Sequence, residues 1–439
     1  MRRFEFDKEI FTKRQRALAG AAEGAAIVIP SHSESIRNHD VHHSFRQDSN
    51  LFYLTGFEEP ESVLILRPGK EPESVLFVRK KDIAKETWDG FRFGPELAEQ
   101  QFPVDKAYLI DEFHEHALDL FEGVESVYYS QFRDSWFDDE FKKLMLNVKA
   151  KRGRNGKGVL PVNDAYLLLG QLRVRKSSFE IDQLQRAASA SALAFQEMMK
   201  QTRPGVNEMQ LHGLFIHEVM KRGCRREGYG TIVAGGANAC TLHYVFNDQP
   251  LNDGDMVLVD AGGEYNYYSA DITRTWPVSG KFTETQKRVY SKLLEAQKDL
   301  VAMVKPGLVI KQHMDEAISR LTDIMLDEKL LKGGKSDLIE KQEYRKYFPH
   351  GLGHFLGLDV HDAGDYLKNG KSRELEPGMV ITVEPGLYVP HDDDTAPEGL
   401  RGLGIRIEDD IVVTESGHHV LTYEAPKEID ELEAIIGSA

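Results

Sequence analysis

Only two cysteines, Cys224 and Cys240, occur in 439 residues, which excludes a disulfide scaffold and fits a reducing compartment; a cytoplasmic location is expected. Basic residues are in deficit, with 55 Lys and Arg against 71 Asp and Glu for a net charge of −16. A broad phosphate-neutralising face is therefore not expected, and neither nucleic acid nor an anionic membrane is an expected partner. Long apolar runs are also missing. No stretch approaches the roughly 18 residues of a membrane span, and the stretch from Met1 to Leu18 is charged throughout where a signal peptide would be apolar, so a soluble, unprocessed protein is expected. Short tandem repeats and low-complexity tracts do not occur. What remains is ordinary globular composition, 41% hydrophobic and 29% charged, too apolar for disorder as the main state. At roughly 100–200 residues per domain, the length suggests two or three domains.

The N-terminal part alternates strand-like runs (Ala26–Ile29, Ser62–Leu66, Ser74–Val78) with helical stretches such as Pro95–Gln101, the pattern of an α/β domain. The basic run Lys149–Gly158 lacks apolar periodicity and reads as a surface loop near a domain boundary. Its glycines lack phosphate-loop spacing. Helices are expected over Asp164–Leu172, Ser178–Gln201, Asn207–Arg222, Thr283–Met303 and His313–Asp327, the third with Asn207 as its N-cap and Gly223 as its stop. Between and after them, 232–278 and 350–422 are rich in glycine, aromatic and β-branched residues and read as sheet and turn. The expected division is 1–160 as a smaller α/β domain and 161–439 as the larger one.

Chemistry concentrates in the second part. The stretch 253–277, DGDMVLVDAGGEYNYYSADITRTWP, reads as a β-hairpin with Asp260 closing one strand and Asp271 inside the next, which can bring both carboxylates to one end. Two buried carboxylates repel unless a cation lies between them. The run 350–354, HGLGH, followed by LDVHD at 358–362, places His350, His354 and His361 among glycines. In 377–386, PGMVITVEPG, a turn leads into an apolar strand that ends on Glu384. The stretch 404–413, GIRIEDDIVV, alternates as a half-buried strand with Arg406 and Glu408 on its charged face. Asp392–Glu398 reads as a solvated acidic loop. Asp260, Asp271, His354, Glu384 and Glu408 thus form a candidate set of four carboxylates and one imidazole without a thiolate. That set suits Mn²⁺, Co²⁺, Fe²⁺ or Zn²⁺, and four carboxylates balance two divalent cations. Metal-assisted hydrolysis is the reaction class this implies.

These motifs resemble those of the M24 pita-bread metallopeptidases. The likeness to the aminopeptidase P subgroup extends to Phe45–Phe57 (FRQDSNLFYLTGF), to Leu242-His243-Tyr244 and to the stretch from Asp271 to Thr275, nearly the whole chain. The resemblance implies an α+β fold: a C-terminal pita-bread domain that is catalytic and a smaller N-terminal α/β domain that is not. It implies that Asp271 and Glu408 bridge two metals, that Asp260 chelates one, and that His354 and Glu384 complete the other, with Mn²⁺ expected first. Glu384 would also shuttle a proton. His243 and His361 match histidines outside the metal shell that contact the peptide and stabilise charge on the attacked carbonyl. His350, Tyr388 and Arg406 match positions around the proline-side pocket, and Trp88 resembles a residue reaching a neighbouring subunit's site, so a homo-oligomer, dimer or tetramer, is expected. The implied activity is release of the N-terminal residue from proline-containing peptides with proline second. Prolidases share the pattern and remain the alternative. A methionine aminopeptidase has no need of the roughly 160 residues before the catalytic half. A pita-bread binding module without catalysis would be expected to have lost ligands, and all five are present.

Overall fold

The computed structural model of the protein describes residues 6–438 and divides into two compact units, 1–172 and 173–439. The first is built on a mixed six-stranded sheet in the order Lys106–Leu109, Ser74–Val78, Val63–Leu66, Ala25–Pro30, Ser126–Tyr128, Val162–Asn163. The expected strands are all present. Their apolar residues, among them Val28, Ile65 and Phe77, are buried against Phe113, Phe137, Phe141 and Leu144 of the helices Phe113–Leu120 and Ser135–Gly153. The basic run at 149–158 is only partly a loop. Its first half completes the helix Ser135–Gly153, where Val148 still faces the core and Lys151 and Arg152 occupy the last turn, a favourable place for cations at the negative end of a helix dipole.

In the second unit the long helices fall where local signals put them. Ser178–Gln201, Glu208–Lys221 and Glu284–Met303 each begin with a reciprocal capping box, made by Ser177 with Glu180, Asn207 with Gln210 and Thr283 with Gln286. Such caps are worth about 1 kcal/mol each and fix where a helix starts. The fourth helix, Ile310–Asp327, starts one turn earlier than its apolar pattern suggests.

Two small sheets carry the chemistry. One has the order Ile232–Gly235, Met256–Ala261, Ile272–Pro277, and the other Val380–Val383, Asp409–Val413, His418–Val420. In the central strand of the first, Met256, Val257, Leu258 and Val259 are all at most 4% exposed. At roughly 1.5–3 kcal/mol per fully buried large aliphatic side chain, that strand is held chiefly by its two covered faces. Asp271 stands immediately before the returning strand, not inside it, because Gly263–Tyr265 and Tyr268–Ser269 form a separate small ladder at the tip.

The stretch 404–413 departs from the expected half-buried strand. It breaks into Gly404–Arg406, paired with Gly386–Tyr388, and Asp409–Val413, paired with Val380–Val383. Both of its faces are covered, with Arg406 at 4% exposure and Glu408 at 2%. The acidic loop is likewise not fully solvated: Asp393 is buried and accepts hydrogen bonds from Tyr347 Oη at 2.7 Å and Thr395 Oγ1 at 2.6 Å. No described helix is long and apolar enough to cross a membrane.

Candidate active site

The two sheets meet at Thr273. Its carbonyl accepts the Glu408 N–H at 3.0 Å, its hydroxyl donates to Glu408 Oε2 at 2.6 Å, and the same hydroxyl accepts from Arg406 Nε at 2.9 Å. Thr273 is also the register partner of Asp260 on the neighbouring strand. One residue thus fixes two of the expected ligands. Behind it, Arg274 is fully buried and donates to the Glu408 carbonyl at 2.5 Å and to Asp409 Oδ1 at 2.6 Å. Breaking such a buried pair by removing one partner costs about 3–5 kcal/mol, so the backbone beneath Glu408 is rigidly held.

Two close backbone crossings position the remaining expected ligands. Beyond Asp260, a Cβ on Gly262 would lie 1.7 Å from the Ala270 carbonyl oxygen, so only glycine lets the chain pass there and return to Asp271. On the other side, a Cβ on Gly353 would lie 2.0 Å from the Thr382 carbonyl oxygen. There His354 N–H donates to Thr382 Oγ1 at 3.0 Å, Thr382 N–H donates to the His354 carbonyl at 2.9 Å, and Glu384 N–H donates to the Leu352 carbonyl at 2.8 Å. His354 and Glu384 therefore sit on adjacent antiparallel segments.

Asp271, His354 and Glu408 present ligand atoms that lie within 4.8 Å of one another. His354 Nδ1 is 3.0 Å from the Phe355 carbonyl, which assigns its proton to that nitrogen and leaves Nε2 to face Asp271 Oδ2 at 3.4 Å and Glu384 Oε1 at 3.7 Å. Asp260 is bound through Oδ2 to Arg406 Nη2 at 2.6 Å. Arg406 Nη1 donates to the Tyr388 hydroxyl at 2.9 Å, and that hydroxyl meets His350 Nε2 at 2.8 Å. His350 Nδ1 lies 3.7 Å from Glu384 Oε2, closing a ring of polar groups. The His361 ring stacks edge-on against His354 with centroids 4.3 Å apart. His243 is exposed, on the loop after Gly236–Cys240, and its charge acts on both His350 and His361. Trp88 belongs to the helix Ile83–Asp89 of the first unit and is 88% exposed.

The electrostatics are those of too many carboxylates in too little water. Burial, reinforced by Asp271 and Asp260, pushes the Glu384 carboxyl up to about 8 against the pull of His354 and Arg406. Burial and the repulsion of Asp271 and Glu384 raise Glu408 well above the carboxylate range, and burial raises Asp260 despite Arg406. Burial alone would lower His354, but Asp271 and Glu384 lift it to about 9. His350 is pushed the other way, down to about 4, by burial and by Arg406. A cluster that suppresses its own ionisation in this way, built from oxygen donors and one correctly oriented imidazole nitrogen, fits divalent cations.

Tyr229 was not among the residues the sequence singled out. Its hydroxyl lies 2.5 Å from both Asp260 Oδ1 and Asp271 Oδ1, tying two of the expected ligands together from a third segment. The one signal for it in the sequence is its place between Gly228 and Gly230 just ahead of a strand.

A pair of small sheets wrapped by helices, with carboxylates converging on one histidine at their seam, defines a metallopeptidase, and the chain belongs to metallopeptidase family M24, whose model matches residues 182–415. The model described as aminopeptidase P, N-terminal domain, matches 11–128. Among curated relatives, the chain is 41% identical to the Xaa-Pro aminopeptidase of Haemophilus influenzae over 98% of this chain and 97% of that one. It is 39% identical to human Xaa-Pro aminopeptidase 3, over 94% of this chain and 81% of the relative. The structure is similar to zinc-substituted Escherichia coli aminopeptidase P in complex with product, with a TM-score of 0.93, 39% identity and 98% of both chains covered. The Pseudomonas aeruginosa aminopeptidase PepP gives a TM-score of 0.94 at 39% identity, with 99% of this chain and 98% of that chain covered. The α+β architecture with a pita-bread catalytic domain is thus the fold of this protein.

Proposed function

We propose that this peptide hydrolase is an Xaa-Pro aminopeptidase, which removes the N-terminal residue from peptides with proline in second position. The observation that carries the reading is the convergence of Asp271, His354 and Glu408 within 4.8 Å, flanked by Asp260 and Glu384, in a chain whose full-length relatives bear that activity in their names. Asp260, Asp271, His354, Glu384 and Glu408 would hold two divalent cations, Mn²⁺ first, with Co²⁺, Zn²⁺ or Fe²⁺ as alternatives. Cations bound there would lower the pKa of a water and polarise the scissile carbonyl.

The chain's own residues supply the rest. Glu384 takes a proton from the attacking water and passes it to the leaving prolyl nitrogen. His361 and His243 donate to the carbonyl oxygen as negative charge builds there. His350, Tyr388 and Arg406 form one hydrogen-bonded wall that receives the proline side of the substrate. The first unit is a non-catalytic domain, Trp88 reaches the site of a neighbouring subunit in a dimer or tetramer, and the protein acts in the cytoplasm.

Substrate length tests the reading. A dipeptidase must bind the free carboxylate directly after proline, whereas an aminopeptidase leaves that end open for a continuing chain. Xaa-Pro-Yaa peptides are therefore expected to be cleaved after Xaa with kcat/KM more than tenfold above that of the matching Xaa-Pro dipeptide, a difference of roughly 1.4 kcal/mol. Equal or better turnover of the dipeptide, with tripeptides refused, assigns the protein to the prolidases instead.

A further inference from the structure

His361 sits on a loop without regular secondary structure, residues 356–364. The loop is pinched at its base, where Asp362 N–H donates to the Phe355 carbonyl at 2.8 Å. Beneath it lies a group of charges away from the five ligands: Arg173, Lys176 and Asp362, each with its side chain 1% exposed, and Asp359, 33% exposed. Arg173 Nη2 donates to Asp362 Oδ1 at 2.5 Å and to Asp359 Oδ2 at 2.7 Å, while Lys176 Nζ donates to Asp362 Oδ2 at 2.9 Å. Asp359 N–H adds a bond to Asp362 Oδ1 at 3.3 Å. Two cations thus meet two carboxylates, and both oxygens of Asp362 are engaged.

The cations are themselves anchored to the segment that carries Glu384. Lys176 N–H donates to the Gly378 carbonyl at 2.7 Å, and Arg175 bridges Met379 in antiparallel fashion, immediately before the strand Val380–Val383. Buried ion pairs contribute little net stability compared with apolar packing, but their short directional bonds fix geometry. Here that geometry is the path of a loop whose only histidine faces His354.

We propose that Arg173 and Lys176 are positioning residues for the reaction: by gripping Asp359 and Asp362 on either side of His361, they hold its imidazole where it can donate to the reacting carbonyl. This rests on the role given to His361 above. The expected size of the effect follows from placement, since a catalytic group displaced by about 1 Å loses on the order of 10²-fold in rate.

The test is a double-mutant cycle on the full-length, Mn²⁺-loaded protein with an Xaa-Pro-Yaa peptide, using Asp359→Asn and Lys176→Met, each alone and combined with His361→Ala. Asp359→Asn alters a partly exposed carboxylate and carries the test by itself if Lys176→Met does not fold. Expected are losses in kcat of roughly tenfold for Asp359→Asn and up to about 10²-fold for Lys176→Met, with KM within about twofold and metal content unchanged. In the His361→Ala background neither change should lower kcat further. Equal losses in both backgrounds, or unchanged kcat in the single variants, overturn the proposal. A His361→Ala variant with undiminished kcat instead removes the role assigned to His361, and is recognised before any second substitution is made.

Discussion

Stripping the cations should make the protein lose stability as pH rises, and the size of the loss can be worked from the site. Glu384 moves from an ordinary 4.5 to about 8 in the folded chain, and His354 from 6.5 to about 9. Both hold protons when folded that they release when unfolded. Their contribution is therefore fully present below the unfolded values and disappears as pH climbs through 8 and 9. Each retained proton is worth at most about 1.4 kcal/mol per pH unit, so between pH 6 and 8 the chelated protein should lose roughly 2–3 kcal/mol from Glu384 alone. Asp393 does not offset this, because Lys346, Thr395 and Tyr347 outweigh its burial and hold its carboxyl below the usual range, so that it titrates only in acid. At roughly 1–2 °C per kcal/mol for a chain of this length, Tm of the chelated protein should fall by about 2–6 °C over that interval. Cations balance the ionised carboxylates, and at a hundredfold excess over Kd each bound ion adds about 2.7 kcal/mol. Thermal melts at pH 6 and 8, with chelator and with Mn²⁺, should show a gap between loaded and stripped protein that widens with pH. A gap that narrows, or a stripped protein indifferent to pH, refutes the account of a carboxylate cluster awaiting counter-charge.

Two substitutions probe how the proposed ligands are held. Tyr229→Phe removes a hydroxyl that bonds both Asp260 and Asp271 while keeping the ring, and should weaken metal binding about 10–100-fold by competition titration; unchanged affinity would show that the hydroxyl orients neither carboxylate. Gly353→Ala places a methyl 2.0 Å from the Thr382 carbonyl oxygen, and should cost roughly 1–3 kcal/mol in denaturant unfolding and separate His354 from Glu384 with loss of bound metal; a variant that unfolds and binds as before contradicts the close crossing.

What the sequence revealed and what it hid divide along the range of the interactions. The capping residues Ser177, Asn207 and Thr283 act within one turn, so three helix starts could be read from local pattern alone. The converging carboxylates could be read because a charge closing an apolar run is costly without a partner, and Asp260 and Glu384 are such charges. Tyr229 stayed hidden because its role exists only where three separate segments meet. The stretch 404–413 misled for a related reason: alternation of polar and apolar residues normally marks one solvent-facing side, but here Arg406 and Glu408 face a polar interior lined by Thr273 and Asp260. Asp393 misled in miniature, since three consecutive aspartates suggest solvent while Tyr347 draws the middle one inward. Lys149–Gly158 was half helix because Val148, one position ahead of the basic run, keeps that face on the core.

The fixed charges at the seam also bear on how many cations the site takes. With His354 neutral as a ligand, Asp260, Asp271, Glu384 and Glu408 contribute −4 when ionised, and Arg406, in direct contact with Asp260, contributes +1. Burial, together with the mutual repulsion of these carboxylates, drives Glu384 and Glu408 to keep their protons when no cation is bound. One divalent cation would leave −1, a poor environment for negative charge building on a carbonyl oxygen. Two would leave +1, which favours that charge and frees Glu384 to accept a proton and give it up. Arg406 joins this arithmetic to the substrate wall, because the guanidinium that partly offsets Asp260 also bonds Tyr388 and through it His350. Its removal therefore should disturb metal binding and proline-side recognition together, whereas loss of the His350 imidazole, whose nearest ligand contact is Glu384 at 3.7 Å, should fall on the substrate side alone.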